Sequence, residues 1–285
     1  MTTGEERPES GSLRIGTWNL DGRSGPRQRD FLASLGCDVL LLTEVPEGLD
    51  LGPWSVHLSE AEIREGVRYA AVAARTLAPE PSPHPASAVA EHEGWRFCSS
   101  VLPWRSSGGA APWSGDSQAE RTEAACRAIA GSGVDVWGGD WNHAMQGTDW
   151  AGSTGGRAAI EDAVARLGLQ VVTVGLLAAG DTQASIDHVA VSLASVVERA
   201  ERVVASDERG RLSDHDAYVV PVHLALGHAA GQTCDAAQHR WRPVVYGLPT
   251  PETFEAAERE DVLLGGCVFW GESAHERCAD CGIER

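Results

Sequence analysis

The sequence predicts a sheet-dominated α/β fold in which a few helices cover the sheets, and three observations predict it. Only three segments carry apolar or small residues at i, i+3, i+4 and i+7, the stripe of a helix with one buried face. Each of the three runs into a glycine and then into a short apolar run. Six further stretches are rich in β-branched or apolar residues over strand lengths, so strands outnumber helices.

In chain order, residues 14–18 form the first strand. A helical stripe of Gln28, Phe31, Leu32 and Leu35 follows, closed by Gly36, where a left-handed cap costs glycine least. Residues 38–43 return as a strand, and residues 69–74 and 95–102 are the next two. Between those two, residues 77–87 hold four prolines and read as a surface loop or hairpin tip; residues 106–116, with three glycines and a proline, read the same way. The second helix carries Thr122, Ala125, Cys126 and Ile129 and is closed by Gly131 before a strand at 134–137. The third carries Ile160, Ala163, Val164 and Leu167 and is closed by Gly168 before a strand at 170–174. Strands at 186–191, 202–205 and 217–222 complete a main domain expected to span 13–222. Residues 1–12 are expected to be a disordered tail, 223–243 a linker where periodicity lapses, and 244–285 a small separate unit.

At 285 residues the chain can bury a full core yet is short for two ordinary domains. Its formal charge is -18, and all 23 basic residues are Arg. Residues 1–222 and the remainder are both acidic, so a long polyanion is repelled unless a local cation or Arg cluster overturns the field. That disfavours a scaffold that coats DNA and leaves room for an enzyme that handles phosphates with a bound metal. Continuous apolar runs are too short for a membrane span, and the polar N-terminus carries no secretory signal, so the expected location is the cytoplasm. Seven cysteines, an odd count, argue against a disulfide framework, and Cys37, Cys98 and Cys126 read as core fillers.

Chemistry in α/β proteins collects where polar groups follow apolar runs. Here those ends read Thr17-Trp18-Asn19-Leu20, Leu42-Thr43-Glu44-Val45, Gly138-Gly139-Asp140-Trp141-Asn142, Ser185-Ile186-Asp187-His188 and Leu212-Ser213-Asp214-His215. Converging, they supply Asn19, Glu44, Asp140, Asn142, Asp187, Asp214 and His215, an oxygen-rich set that suits Mg²⁺ or Mn²⁺ rather than zinc. Such a cation polarises a phosphoryl oxygen, one carboxylate orients water, and an imidazolium held by a second carboxylate offsets phosphate charge. Taken singly, each residue has a plainer reading. Asn19 is a turn residue, Glu44 a solvated strand end, Asp140 and Asn142 turn caps, and Asp187 with His215 a buried structural pair.

The spellings TWNL, LLTEV, GGDWN, SIDHV and LSDH, in that order, resemble the endonuclease/exonuclease/phosphatase superfamily, the metal-dependent phosphoesterases related to DNase I. The resemblance spans residues 13–222 and implies a four-layered sandwich of two packed mixed sheets flanked by helices. It implies that Asn19 and Glu44 bind Mg²⁺ or Mn²⁺, with Asp214 completing the site. Asp140 then orients or deprotonates the attacking water and Asn142 hydrogen-bonds the phosphate. Asp187 fixes His215, whose second ring nitrogen faces the scissile phosphate. Many members carry a histidine at the end of the central strand where this chain has Val101; Arg105, four residues on, is expected to contact phosphate instead. The implied activity is metal-dependent hydrolysis of a phosphodiester, with nucleic acid as the foremost substrate. A small-molecule or lipid phosphoesterase and a catalytically weak binding or regulatory protein are the alternatives.

Trp18, Trp104 and Trp141 flank the expected site and read as core or cleft wall rather than base-stacking platforms. His143 and His188 neighbour functional residues but, by strand alternation, face the other way. The C-terminal unit holds Cys267, His275, Cys278 and Cys281, and its Cys-Ala-Asp-Cys-Gly spelling is that of a zinc knuckle. A structural Zn²⁺ on these four residues, in a zinc-ribbon-like unit, is the expected staple for so short a segment.

Overall fold

The computed structural model describes residues 10–225, 241–245, 250–259, 261–264 and 276–278. Contacts divide the chain into two compact units, Met1–Gly227 and His228–Arg285. The first half of the first unit runs β1 (Ser10–Asn19), α1 (Pro26–Ser34), β2 (Val39–Pro46), β3 (Ser55–Leu58), β4 (Glu62–Arg64), β5 (Val67–Ala74), β6 (Ala78–Glu80), β7 (Ser87–His92) and β8 (Trp95–Ser100). It continues with α2 (Gln118–Ala130), β9 (Val136–Asp140), α3 (Thr154–Arg166), β10 (Leu169–Val171), β11 (Asp187–Ser192), β12 (Val196–Val197), β13 (Glu201–Val203), β14 (Ser206–Asp207), β15 (Gly210–Arg211) and β16 (Ala217–Ala225).

Two sheets result. One is ordered β12-β16-β1-β2-β5-β3, with β13 also on β16 and β4 on β5; the other is ordered β10-β11-β9-β8-β7-β6. Each contains one parallel pair, β1 with β2 and β8 with β9, among antiparallel neighbours. A parallel pair needs a crossover, and the helices supply it: α1 joins β1 to β2, and α2 lies between β8 and β9.

Strand alternation then sorts the side chains. Ile15, Val39, Leu41, Val72 and Val220 of the first sheet pack against Ala90, Phe97, Val136, Val189 and Val191 of the second, forming the buried layer between sheets. The intervening Leu40, Leu42, Ala71 and Val219 face Leu32 and Leu35 at α1. On the far side, Cys98, Trp137 and Ala190 face Ala125, Cys126 and Ile129 of α2 and Ile160, Ala163 and Val164 of α3. The layers are therefore helix, sheet, sheet, helices, the expected four-layered sandwich. Cys37, Cys98 and Cys126 are buried free thiols.

Local details explain the helix stripes. Gln28 is buried at the start of the α1 stripe because its Nε2 donates to the Leu212 carbonyl at 3.0 Å. Thr122 is buried because its hydroxyl returns to the Gln118 carbonyl at 2.9 Å. Gly36 and Gly168 adopt the left-handed cap, with φ of +60° and +67°. Gly131 does not: it stays right-handed at φ -78°, and the chain turns two residues later at Gly133, φ +66°. The proline-rich stretch 77–87 contains β6, and its partner β7 lies in an alanine-rich run with no strand signature. The central ladder also reaches past the expected bounds, pairing Ser10 with Ala225.

In the second unit the described elements are β17 (Trp241–Val245), α4 (Pro251–Glu258), β18 (Leu263–Leu264) and β19 (Glu276–Cys278), with the strands ordered β18-β17-β19. Cys267, His275 and Cys281 lie outside the described residues; the Cys278 backbone ends β19 opposite Trp241. No helix among the described residues is long and apolar enough to cross a membrane.

Candidate active site

The site forms where the strand ends meet. Asn19 is the last residue of β1, in register with Thr43, so Glu44 stands one residue further along β2. On the other sheet Asp140 ends β9 directly opposite Asp187, the first residue of β11. The two glycines before Asp140 have a steric reason. A Cβ at Gly139, whose φ is +122°, would collide with the Ser100 carbonyl, and one at Gly138 would come within 2.7 Å of the His188 carbonyl. Glu44 and Asn142 are both left-handed, at φ +48° and +53°, a conformation that is uncommon for a non-glycine residue and costs more for Glu than for Asn.

Hydrogen bonds join these residues into one cluster. His215 Nδ1 donates to Asp187 Oδ2 at 2.7 Å, which fixes the ring orientation and leaves Nε2 directed away from Asp187. The Asn19 Nδ2 group donates to Asp140 Oδ2 at 3.1 Å and to Glu44 Oε1 at 3.2 Å, while its Oδ1 accepts the Asp21 amide hydrogen at 2.9 Å. Asp140 Oδ1 accepts the Asn142 amide at 3.0 Å. Ligand atoms of Asp140, Asp187 and His215 all lie within 4.8 Å of one another.

Two serines pin the backbone beneath. Ser213 Oγ donates to the Asn19 carbonyl at 2.7 Å and accepts the His215 amide at 3.1 Å, and Ser185 Oγ accepts the Asp187 amide at 3.0 Å. Trp18 Nε1 holds the His215 carbonyl at 3.2 Å. Behind them Asp216, fully buried, accepts Arg202 Nε at 2.7 Å, the Ala205 amide at 3.0 Å and the Arg211 guanidinium.

Burial, then the Asp187 charge, push the Asp140 carboxyl up to about 7, against the opposing pull of His215. For His215 burial works against protonation, but the charge and hydrogen bond of Asp187, with Asp140 and Asp214 adding, raise it to about 10, so the ring is an imidazolium at neutral pH. The donor set fits a hard divalent cation. The Asp140 and Asp187 carboxylates lie within 4.8 Å of one another, Glu44 adds its charge at Asp140, and Asp187 Oδ1 is buried with no hydrogen-bond partner among the described residues.

The other expected residues fall as follows. Asp214 Oδ1 lies 3.4 Å from Ser213 Oγ and adds to the field at His215. One Asn142 Nδ2 hydrogen goes to the Leu102 carbonyl at 3.0 Å. Arg105 is held elsewhere, its Nη2 donating to the Asp149 and Gly152 carbonyls, both at 2.9 Å, and no hydrogen bond among the described residues joins it to the cluster. Val101 is buried in the core beside Leu102 and Trp113. Trp18 and Trp141 are fully buried and Trp104 packs partly buried against the core. His143 and His188 are also core: His188 Nε2 donates to the His143 carbonyl at 3.0 Å and His143 Nδ1 to the Trp141 carbonyl at 2.8 Å. Sequence reasoning missed Ser185, Ser213, Asp216 with its two arginines, and Arg64, whose Nη1 donates to Glu44 Oε2 at 2.8 Å. Ser185 and Ser213 stand inside the spellings SIDHV and LSDH, and Asp216 left a charge immediately before the apolar run of β16, whereas Arg64 left no signal.

No protein-family model and no curated protein matches the chain. Among solved structures it is similar to the endonuclease domain of TRAS1, a telomere-specific non-LTR retrotransposon, with a TM-score of 0.54 and 17% identity over 76% of this chain and 100% of that one. It is similar to a 3′-5′ exonuclease, NExo, from Neisseria meningitidis, with a TM-score of 0.54 and 18% identity over 73% and 98% of the two chains. An endonuclease/exonuclease/phosphatase protein from Beutenbergia cavernae matches with a TM-score of 0.51 and 16% identity over 82% and 75%. At these identities the shared property is the fold.

Proposed function

We propose that the chain hydrolyses a phosphodiester by attack of water, with Mg²⁺ or Mn²⁺ as cofactor and a nucleic acid as the foremost substrate. The observation that carries this reading is one cluster, Asp140, Asp187 and His215 within 4.8 Å, tied through Asn19 to Glu44. The nuclease and phosphatase names of the structural neighbours support the same chemistry.

Each residue then has a role. Glu44, with Asn19 and Asp214, would hold the cation, which when bound polarises a phosphoryl oxygen and offsets its charge. Asp140 accepts a proton from the attacking water, and a carboxyl raised to about 7 is matched to that task near neutral pH. His215, kept protonated and oriented by Asp187, donates Nε2–H to a phosphate oxygen as charge develops. Asn142 retains a second Nδ2 hydrogen for the same phosphate.

A small phosphodiester is a second reading, favoured by the charge of -18. The first test is hydrolysis of bis(p-nitrophenyl) phosphate by the full chain with Mg²⁺ and with EDTA, followed by a panel of DNA, RNA, nucleotides, lipid and inositol phosphates. Turnover with Mg²⁺ that EDTA abolishes is expected. Turnover unaffected by EDTA would remove the metal from the mechanism, and no turnover on any substrate would remove the enzyme.

A further inference from the structure

Arg64 belongs to none of the sequence motifs, yet its side chain ends at the cluster. It closes β4, whose pairing with β5 shifts register between Glu62 and Arg64 before the turn at Gly66, φ +70°. From that hairpin tip Nη1 reaches Glu44 Oε2 at 2.8 Å. Because Asn19 holds Oε1, both oxygens of the Glu44 carboxylate are engaged by protein donors.

The loop after β1 is shaped around this guanidinium. Gly22 is left-handed at φ +68°, its amide donates to the Glu44 carbonyl at 3.0 Å, and a Cβ there would collide with Arg64 Nη2. The side chain is 48% exposed, and Nε and Nη2 have no hydrogen-bond partner among the described residues. Its neighbour Arg68 differs, being paired with Glu47 and Glu62, and Arg105 spends Nη2 on loop carbonyls. Arg64 thus presents open, coplanar donors at the rim of the carboxylate cluster, a match for two oxygens of a phosphate.

We infer that Arg64 binds the substrate phosphate and that Glu44 is its resting partner, so that divalent cation and phosphodiester bind cooperatively. The inference rests on the proposed function. A cation on Glu44 competes with Nη1 and releases the guanidinium to turn its open Nε and Nη2 edge onto a phosphate at the cluster. A phosphate that draws Arg64 away unburdens the carboxylate for the cation, and linkage makes the two effects equal.

The test is Mn²⁺ binding to the full chain, followed by electron paramagnetic resonance of the free ion, with and without the inert diester dimethyl phosphate. The relevant site is the Mn²⁺ lost in Glu44→Gln. Without the diester, Arg64→Gln is expected to bind Mn²⁺ about threefold to tenfold tighter than wild type, because a competing positive charge is gone. Dimethyl phosphate is expected to tighten Mn²⁺ binding in wild type and clearly less in Arg64→Gln, where the cation, His215 and Asn142 still meet the phosphate. Arg64→Lys, which keeps the charge and loses the fork, is expected to keep wild-type Mn²⁺ affinity and lose most of the enhancement. Equal Mn²⁺ affinity in wild type and Arg64→Gln, or undiminished enhancement in Arg64→Gln, overturns the role of Arg64 while Glu44-dependent Mn²⁺ binding and turnover persist. A wild type that binds no Mn²⁺ through Glu44 overturns the proposed metal site, and the inference with it.

Discussion

Replacing Asp216 by Asn removes a charge from the buried support directly behind His215. The carboxylate is 0% exposed, while its partners Arg202 and Arg211 are 16% and 39% exposed at the side chain. Asn keeps Oδ1 as acceptor for the Ala205 amide and the Arg211 guanidinium, but its NH₂ group faces Arg202, so the charge-assisted hydrogen bond to Arg202 is lost and that to Arg211 loses its charge. Such bonds contribute roughly 1.5–3 kcal/mol each, discounted for Arg211 because water reaches it, so the expected loss is about 3 kcal/mol. Asp181 is the internal control, since it pairs with the same Arg202 but is 73% exposed. Asp181→Asn should cost below about 1 kcal/mol. Urea unfolding at pH 7, comparing midpoints at constant slope, measures both variants. Equal losses in the two would refute the reasoning that burial, and not the ion pair as such, gives Asp216 its weight. Because Asp216 adjoins His215, Asp216→Asn is also expected to lower turnover in protein that remains folded.

Other perturbations have equally definite outcomes. Gly139→Ala places a Cβ against the Ser100 carbonyl at a φ of +122°, so stability is expected to fall by at least about 2 kcal/mol and turnover with it, because Asp140 follows directly; a stable, active variant would contradict the close approach of β8 and β9. His188 is fully enclosed, and burial lowers its pKa from 6.5 to about 4. The unfolded chain therefore takes up the proton first, so its contribution is complete above pH 6.5 and is lost as the pH falls toward 4. Between pH 7 and pH 5 that amounts to about 2 kcal/mol, and denaturant melts of His188→Gln should lack this part of the slope; identical slopes would place the titration elsewhere. In the C-terminal unit, protein purified without added metal is expected to carry about one zinc, absent from the Cys278→Ser, Cys281→Ser double variant, which should keep most hydrolase activity. Elemental analysis finding no zinc in wild type, or zinc in the double variant, would remove that site.

Much of this molecule was legible because its information is local. Leu32, Ala125 and Ile160 advertise helix faces, and Val39 to Leu42, all apolar, advertise a strand buried on both sides. Strand ends were legible too, since Asn19, Glu44 and Asp140 each follow an apolar run and Asp187 opens one, and the fold brings those ends together. What stayed hidden depends on long-range pairing. Gln28 looks like a flaw in a helix stripe until Leu212 is placed beside it. Arg64 and Glu44 are twenty residues apart with no shared motif, and only the path of β4 beside β5 joins them. β7 escaped because alanine carries little strand propensity, and its burial comes from its neighbours on both sides of the sheet. Position alone points to a left-handed cap at Gly131, whereas the turn needs that conformation at Gly133.

One comparison bears most directly on Asp140, Asp187 and His215 as a hydrolytic centre: the rate of bis(p-nitrophenyl) phosphate hydrolysis at saturating Mg²⁺ by wild type and by Asp140→Asn, both verified as folded by circular dichroism. Asn is nearly the same size and can still accept the Asn142 amide at Oδ1, while its NH₂ takes the place of the Oδ2 that accepts Asn19 Nδ2, so the change removes the proton acceptor and that one hydrogen bond. A loss of at least about a hundredfold is the expected result, the size of a general-base contribution. A variant within about threefold of wild type would contradict the assignment of Asp140, since a true general base contributes far more.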